Sequence, residues 1–254
     1  MKKLKVDLHT HCADDPLDHI EHSAEQLIEN AAEKGFDALA IASHRVITYS
    51  RRLALYGERH GILLIPAIEK LIEGKHVLLV NVDWSVHAVE TFQELRAWKG
   101  KNSLIIAPHP YYPKGNCLRS ALERNIDLFD AMEYSFFYSS IINFNERARE
   151  VAEKYKMPLV GTSDCHNLYD LGTTYTLVES EKDANAILNA IRNGKTEVVT
   201  RPLALRHICV RGVRGLGQYS VQGIIEQTYG RLTGSLIFEG KTVANRSRRG
   251  RVEI

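Results

Sequence analysis

The sequence alternates short, nearly continuous apolar runs with segments whose apolar residues recur at helical spacing. Residues 37–43 and 62–68 are runs of the first kind, rich in Ala, Leu and Ile. Such runs are typical of strands buried on both faces of a parallel sheet. Residues 23–35 are of the second kind, with a capping-box pattern at Ser23 and Gln26 and with Gly35 at the end. The alternation predicts an α/β fold, a parallel sheet that closes most simply as a barrel.

The same reading extends along the chain to about residue 194. It predicts strands at residues 4–8, 37–43, 62–68, 76–80, 103–107, 128–134, 158–161 and 175–178. It predicts helices at residues 23–35, 47–59, 88–99, 118–124, 145–155 and 184–193.

Composition places the chain among ordinary globular proteins. Its 254 residues are 44% hydrophobic and 25% charged, which is enough for one α/β barrel domain with a large core. The four cysteines show no CxxC spacing, which favours a reduced, cytoplasmic compartment. Two lysines near the start give way to Asp7, so we expect no signal peptide. No apolar run approaches the ~20 residues of a membrane span, so we expect no membrane partner.

Metal-binding residue types follow the apolar runs, where strands are expected to end. His9 and His11 lie two residues apart at the end of the first run, as Asp164 and His166 do after a later one. Residues two apart on a strand share a face, so each pair can reach the same ion, and Asp7 shares the face of His9. The seven residues at strand ends are His9, His11, His44, Glu69, His109, Asp164 and His166. In barrels, the rim formed by these strand ends holds the active site.

Imidazoles and carboxylates without a thiolate suit Zn²⁺, Mn²⁺ or Fe²⁺ better than Ca²⁺ or Mg²⁺. With His76, which opens a strand, and an aspartate from the acidic loop at residues 12–16, the set of candidate ligands grows to nine. Nine ligands are too many for one ion, so we expect two or three divalent metals that share carboxylates. Cys12 and Cys165 lie beside ligand positions and are interpreted as packing residues.

The chain resembles the PHP family, the polymerase and histidinol phosphatase domain phosphoesterases. Asp-Leu-His-Thr-His at 7–11, Pro-His-Pro at 108–110 and Ser-Asp-Cys-His at 163–166 carry the resemblance, with His44, Glu69 and His76 in order between them. It runs from Lys5 to about Thr200, so residues 1–200 are predicted to form one PHP domain. The resemblance implies a distorted seven-stranded (β/α) barrel with a trinuclear metal site.

The resemblance also implies a role for each ligand. His9 and His11 would hold the first metal, with Glu69 bridging to the second, and His76 and His109 would complete the second. His44 and His166 would hold the third, with Asp164 shared and Asp7 supporting the ligands from behind. Asp15, with Asp14 as the alternative, would supply the loop ligand. Ser43 replaces a usual aspartate, and the interval between Glu69 and His76 is short.

The predicted function is a metal-dependent phosphoesterase that hydrolyses a phosphate monoester of a small metabolite or nucleotide by a metal-bound hydroxide. Arg45 is expected to meet the phosphate, and Tyr111 to stack on a base or sugar. The alternative is a phosphodiesterase or exonuclease on single-stranded nucleic acid. A scaffold without metals is a third possibility, which the near-complete ligand set disfavours.

The last part of the chain, residues 201–254, has a different character. It contains ten Lys and Arg against three Asp and Glu, a net charge of +7, which leaves −5 for residues 1–200 because the whole chain carries +2. We expect a basic C-terminal extension that contacts nucleic acid or another acidic surface, and plain disorder is the alternative. The sequence does not predict an oligomeric state.

Overall fold

Nine strands and six helices alternate along residues 3–100 and 102–203, the part of the chain that the computed structural model describes. The strands are β1 Lys3–Thr10, β2 Ala38–Ile41, β3 Leu63–Ile72, β4 Lys75–Val80, β5 Leu104–Ala107, β6 Ala131–Ser135, β7 Leu159–Thr162, β8 Thr174–Glu179 and β9 Thr196–Thr200. The helices are α1 Ala24–Glu33, α2 Arg51–Arg59, α3 Phe92–Trp98, α4 Ser120–Arg124, α5 Asn145–Tyr155 and α6 Ala184–Arg192. Short 3₁₀ helices span Trp84–Ala88 and Ile126–Leu128.

The described strands form one sheet in the order β7-β6-β5-β4-β3-β2-β1-β8-β9. The sheet curls back on itself, because Thr10 at the end of β1 forms a parallel bridge with Cys165, three residues beyond β7. The backbone N–H of His11 donates to the Cys165 carbonyl at 3.1 Å. The result is a nearly closed, barrel-like sheet.

The predicted α/β class is confirmed, but the sheet is mixed and the described residues contain nine strands rather than seven. The pairs β1–β2, β2–β3, β5–β6 and β6–β7 are parallel as predicted. The pairs β3–β4, β4–β5, β1–β8 and β8–β9 are antiparallel. The predicted elements did not include β9.

The β3–β4 reversal has a local cause. A two-residue turn, Glu73 and Gly74, joins the strands with φ values of 49° and 73°. Two successive positive φ angles are the signature of the tight turn that matches the twist of a β-hairpin. A connection this short can only join antiparallel strands, so β4 runs back toward the barrel.

An apolar cluster that joins β1–β8 with α6 supports the site from below. Ile65 and Ala67 of β3 belong to it, together with Leu78 and Val80 of β4 and Ile187 of α6. Two further clusters lie against α1–α2 and α3–α5. Cys12 and Cys165 are buried in the cluster against α1, in agreement with their predicted packing role.

Some of the predicted helix boundaries agree with the structure and others differ from it. The predicted capping box at the start of α1 is present, since Ser23 accepts from the Gln26 amide and Gln26 accepts from that of Ser23. The predicted helix at residues 145–155 is α5. The predicted helix at residues 88–99 is shortened to α3, because Thr91 caps its start, and residue 88 instead ends the preceding 3₁₀ helix. No helix in the described part of the chain is long and apolar enough to cross a membrane.

The predicted basic extension lies almost wholly outside the described residues, which end at residue 203.

Candidate metal centre

The two histidines of the first motif reach one carboxylate. The rings of His9 and His11 are fully buried, with centroids 5.1 Å apart. Their Nε2 atoms lie 3.6 Å and 3.2 Å from Asp164 Oδ1, which is carried on the segment after β7. The curvature of the sheet therefore brings the first and last motifs of the chain together.

Glu69 lies at the middle of the centre and not at the end of its strand as predicted. It is the seventh residue of β3, which continues past the ends of its neighbours into the hairpin. Alternation along the strand places Glu69 on the inner face with Ile65 and Ala67, directly above the apolar cluster. His44, which follows β2, pairs with Glu69 through an isolated bridge and contacts Oε2 at 3.1 Å.

Both oxygens of Glu69 are surrounded by imidazoles. Oε2 also faces His9 Nε2 at 3.3 Å and His11 Nε2 at 3.7 Å. Oε1 lies 2.6 Å from His76 Nδ1 and 3.2 Å from His109 Nε2. His76 is the second residue of β4, and the antiparallel direction of that strand brings it to the same rim.

The donor set fits a metal. His11 Nε2, Glu69 Oε1 and His76 Nδ1 are buried, yet they make no hydrogen bond within the described part of the chain. Buried polar atoms are normally paired, so an orphaned set needs a partner of another kind. Three groups of ligand atoms lie close enough to share an ion: His9, Glu69 and His109; His9, His11 and Asp164; His11, His44 and Glu69. The centre can therefore hold divalent metals, which neutral imidazoles and carboxylates bind well.

The acidic loop after β1 supplies an outer group of ligand atoms. Asp15 is buried, and its Oδ2 lies 3.0 Å from His11 Nδ1 and 2.9 Å from His44 Nδ1, whereas Asp14 is exposed. Asp18, which the sequence analysis did not single out, lies 3.0 Å from His166 Nε2 and 3.5 Å from His44 Nδ1. Asp15, Asp18 and His44 form a fourth group with converging ligand atoms.

Opposite charges shift the pKa values of the centre. Burial opposes protonation of His9, but Glu133, Glu69 and Asp164 raise its pKa well above the usual range. Burial also opposes protonation of His109, but the contacts with Cys117 and Glu69 raise its pKa to about 10. Asp164 and Asp18 raise the pKa of His166 to about 9. Burial lowers the pKa of His76 to about 4. The acidic groups of the centre therefore favour a positive charge on most of its imidazoles.

Asp7 supports the backbone and not an imidazole ring. Its carboxylate accepts from the backbone amides of His9 at 3.2 Å and Ser163 at 3.1 Å. It therefore ties β1 to the start of the Asp164 loop, and burial raises its pKa to about 7. The carboxylate that contacts the far nitrogen of His9 is Glu133, at 2.7 Å.

The two predicted substrate contacts have different outcomes. Arg45 is half-buried beside His44 and has a positive φ of 62°. Tyr111 does not lie at the centre, because its ring packs on the outer core and under the Arg147 guanidinium, 5.8 Å away. Its neighbour Tyr112 is the tyrosine beside the ligands, with its ring 6.2 Å from that of His109. Stacking of Tyr111 on a base or sugar stays a prediction, although Tyr112 has the position closer to the ligands.

Two acidic residues of the site were missed. Glu133 is a single charged residue in the middle of an apolar strand, and that isolation was the available signal. Asp18 belongs to an irregular loop, where spacing gives no direction to a side chain. Among the histidines outside the motifs, His22 is buried and its Nε2 donates to the His11 carbonyl at 2.9 Å, which supports the ligand backbone.

Comparison with known proteins finds one family and a shared fold. A family described as PHP-associated matches residues 143–196. No curated protein matches the sequence. PsfC from Pseudomonas syringae has a similar structure, with a TM-score of 0.58 and 17% identity over 87% of this chain and 100% of that one.

Two more solved structures share the fold. A candidate metal-dependent phosphoesterase from Bifidobacterium adolescentis has a TM-score of 0.50 and 16% identity over 64% of this chain and 87% of its own. The lesion-specific endonuclease Q from Pyrococcus furiosus has a TM-score of 0.50 and 16% identity, covering 77% of this chain and 57% of its own. Residues 143–196 are thus similar to a PHP-associated family, and the chain shares its fold with a candidate metal-dependent phosphoesterase and with an endonuclease.

Proposed function

We propose that this protein is a metal-dependent phosphoesterase that hydrolyses a phosphate monoester of a small metabolite or nucleotide. The observation that carries the proposal is the buried cluster of imidazoles and carboxylates, in which His11 Nε2, Glu69 Oε1 and His76 Nδ1 make no hydrogen bond. The fold shared with a candidate metal-dependent phosphoesterase supports the same class of reaction.

Two or three Mn²⁺, Zn²⁺ or Fe²⁺ ions are the proposed cofactors. Glu69 would bridge an inner pair, with His9, His11 and Asp164 on one side and His76 and His109 on the other. His44, His166 and Asp15 would hold a third ion, with Asp18 available to it. When bound, such ions activate water near neutral pH and stabilise the negative charge that develops on a phosphate.

The protein's own groups determine how a substrate reaches this centre. The side chains of His9, His11 and Glu69 are closed to solvent, whereas those of Asp164 and His166 are 20% and 36% exposed. A phosphate would therefore arrive on the Asp164 side. Arg45, which follows His44, is the proposed cation for the phosphate oxygens.

A phosphodiesterase acting on single-stranded nucleic acid is the second candidate. The loops that follow β2, β6 and β7 carry exposed apolar side chains: Tyr49, Ile141, Ile142, Phe144 and Tyr169. Aromatic side chains at a rim can stack on bases. Endonuclease Q, which shares the fold, has been solved with an abasic DNA duplex at its active site. The predicted cytoplasmic location belongs to both candidates and stays a prediction.

One experiment separates the two candidates. The protein would be supplied with Mn²⁺ and given p-nitrophenyl phosphate, bis-p-nitrophenyl phosphate, nucleoside monophosphates and a single-stranded oligonucleotide. We expect kcat/KM to be highest for a monoester and to vanish after chelation. A clear preference for the diester and the oligonucleotide would favour the second candidate, and the absence of metal-dependent turnover on all four would contradict both.

A further inference from the structure

Glu133 is a fully buried carboxylate in the middle of β6, between Met132 and Tyr134. A buried carboxylate costs free energy unless donors surround it, so an apolar residue would suit a plain strand better. The neighbouring strands β5 and β7 pair with β6 through backbone groups and do not need this side chain. Its position therefore calls for an explanation beyond the sheet.

Three donors from three different segments meet on this carboxylate. Oε1 accepts from His9 Nδ1 at 2.7 Å and from the Thr162 hydroxyl, while Oε2 accepts from the backbone N–H of His109. His9 and His109 contact different oxygens of Glu69. One buried carboxylate thus contacts a candidate ligand from each side of the inner pair.

The contact with His9 determines which ring nitrogen is free. When a histidine donates from Nδ1, the lone pair of the neutral ring is on Nε2. Nε2 of His9 is the atom that faces Glu69 at 3.3 Å and Asp164 at 3.6 Å. The hydrogen bond from behind therefore presents the correct atom to the centre and fixes the plane of the ring.

The contact with His109 acts on the backbone. His109 has a φ of 27°, in the left-handed region that residues other than glycine rarely adopt. Such conformations persist at functional sites only when the surroundings hold them. The bond from the His109 amide to Glu133 holds this turn, which aims the imidazole back at Glu69 Oε1.

We propose that Glu133 is a positioning residue that couples the two sides of the metal centre, by orienting the His9 ring and holding the His109 backbone with one carboxylate. The proposal depends on metal binding at this centre, but not on which ester, if any, is hydrolysed. Its tests therefore measure metal binding and remain informative if the proposed reaction is wrong.

Glu133→Gln is the direct test, because the amide has the same shape but only one accepting oxygen. If that oxygen faces the His109 amide, the NH₂ group faces His9 Nδ1, which must then accept and carry its proton on Nε2. If the amide is reversed, two donors face each other at His109. We expect the affinity for Mn²⁺ or Zn²⁺, measured by calorimetry, to fall about 10–100-fold, as is typical when a partner behind a ligand is lost.

Thr162→Val is the matched control. It removes the hydroxyl donor to the same Oε1 atom and leaves both histidine contacts in place. We expect metal affinity and the visible absorption spectrum of the Co²⁺-loaded protein to stay close to wild type, while Glu133→Gln changes both. Equal losses of affinity in the two variants, in step with equal losses of thermal stability, would mean that Glu133 only holds strands together and would overturn the proposal.

A second measurement uses the wild-type protein and does not require the variant to fold. In the Zn²⁺-loaded protein, ¹⁵N chemical shifts of His9 report which ring nitrogen carries the proton. We expect the proton on Nδ1. A proton on Nε2 would show that Glu133 does not present His9 to the metal, and the proposal would be abandoned.

Discussion

Glu69 is the residue on which the centre depends most directly, since five imidazoles approach its two oxygens. Glu69→Gln keeps the shape of the side chain but removes the negative charge between the proposed inner ions. We expect turnover to fall by about a hundredfold to a thousandfold, in line with about 3–4 kcal/mol for the loss of a central electrostatic contact. Single-turnover kinetics at saturating Mn²⁺ would measure the loss.

Glu73→Gln is a suitable control for that experiment. Glu73 belongs to the turn of the same hairpin, is exposed, and accepts from the Phe92 amide through an oxygen that glutamine retains. It should leave turnover close to wild type. Near wild-type turnover of Glu69→Gln itself would remove Glu69 from the role of bridge.

The raised pKa values predict that metal binding releases protons. The pKa values of about 10 for His109 and about 9 for His166, with those of His9 and His44 also raised, mean that these imidazoles carry protons at pH 7 in the stripped protein. A metal binds only the deprotonated nitrogen, so the apparent affinity should rise with pH below about 9 and weaken as pH falls. His76, with its pKa of about 4, should contribute no proton.

Calorimetry in buffers with different ionisation enthalpies gives the number of protons released. We expect more than one proton at pH 7, and about one fewer in His166→Gln. If the observed enthalpy does not depend on the buffer, these imidazoles are either already neutral or not ligands.

Individual residues could be predicted from sequence where chemistry and strand position agree. His9, His11, His44, His109 and His166 follow apolar runs, and the structure brings all of them to one rim. Tyr111 and Tyr112 show the limit, because the turn at His109 has a φ of 27° and no periodic rule indicates which tyrosine then faces the ligands. Asp15 and Asp18 show the same limit of prediction, because the course of an irregular loop depends on contacts made elsewhere in the chain.

Secondary-structure elements were predictable where their signals are local. The capping box of α1 is one example, because the contacts between Ser23 and Gln26 lie within one helical turn. The direction of β4 was not recognised, although the Glu73–Gly74 turn is a local hairpin signal. β9 was missed because its side chains are half-exposed without a clear apolar pattern, and its hydrogen-bonded partner β8 precedes it across a whole helix. The end of β3 was misplaced because the unrecognised hairpin extends that strand past Glu69.

A substitution at Gly161 of β7 tests how closely this strand must pack against β8 and β9. A Cβ at this position would lie 2.7 Å from the Tyr175 carbonyl oxygen and 2.8 Å from Val198 Cγ1, so β7 would have to move away from β8 and β9. We expect Gly161→Ala to destabilise the fold by about 1–3 kcal/mol, as overpacking does in other cores. Urea unfolding followed by circular dichroism would measure the change.

Gly115→Ala provides the comparison, because no heavy atom lies within 4 Å of the added methyl group and the φ is not positive. Its free energy of unfolding should stay within about 0.5 kcal/mol of wild type. A similarly small effect at Gly161 would mean that β7 is free to separate from β8 and β9 without cost.

For the whole molecule, the division into residues 1–200 and a basic extension remains a proposal. All the proposed ligands precede residue 200, so deleting residues 241–254 should leave hydrolysis of a small chromogenic ester nearly unchanged. The deletion removes Arg246, Arg248, Arg249 and Arg251. If these contact a single strand, the salt dependence of oligonucleotide binding should weaken by roughly 0.7 in slope for each lost contact.

The outcomes of that deletion differ for the two candidate functions. An unchanged salt slope would separate the extension from nucleic acid and favour the small-molecule phosphatase. The loss of both activities would contradict the independence of residues 1–200.

The uneven burial of the centre has a consequence for the lifetimes of the metals that it is proposed to hold. His9, His11 and Glu69 are sealed from solvent, whereas His166 and Asp164 are partly open. A chelator could reach an ion at the open side directly, but an inner ion would leave only after the β3–β4 hairpin or the Asp164 loop opens. We expect EDTA to strip the protein in two kinetic phases, and the slow phase to lengthen with any substitution that stabilises the fold. A single fast phase would mean that all the ions exchange through one common opening.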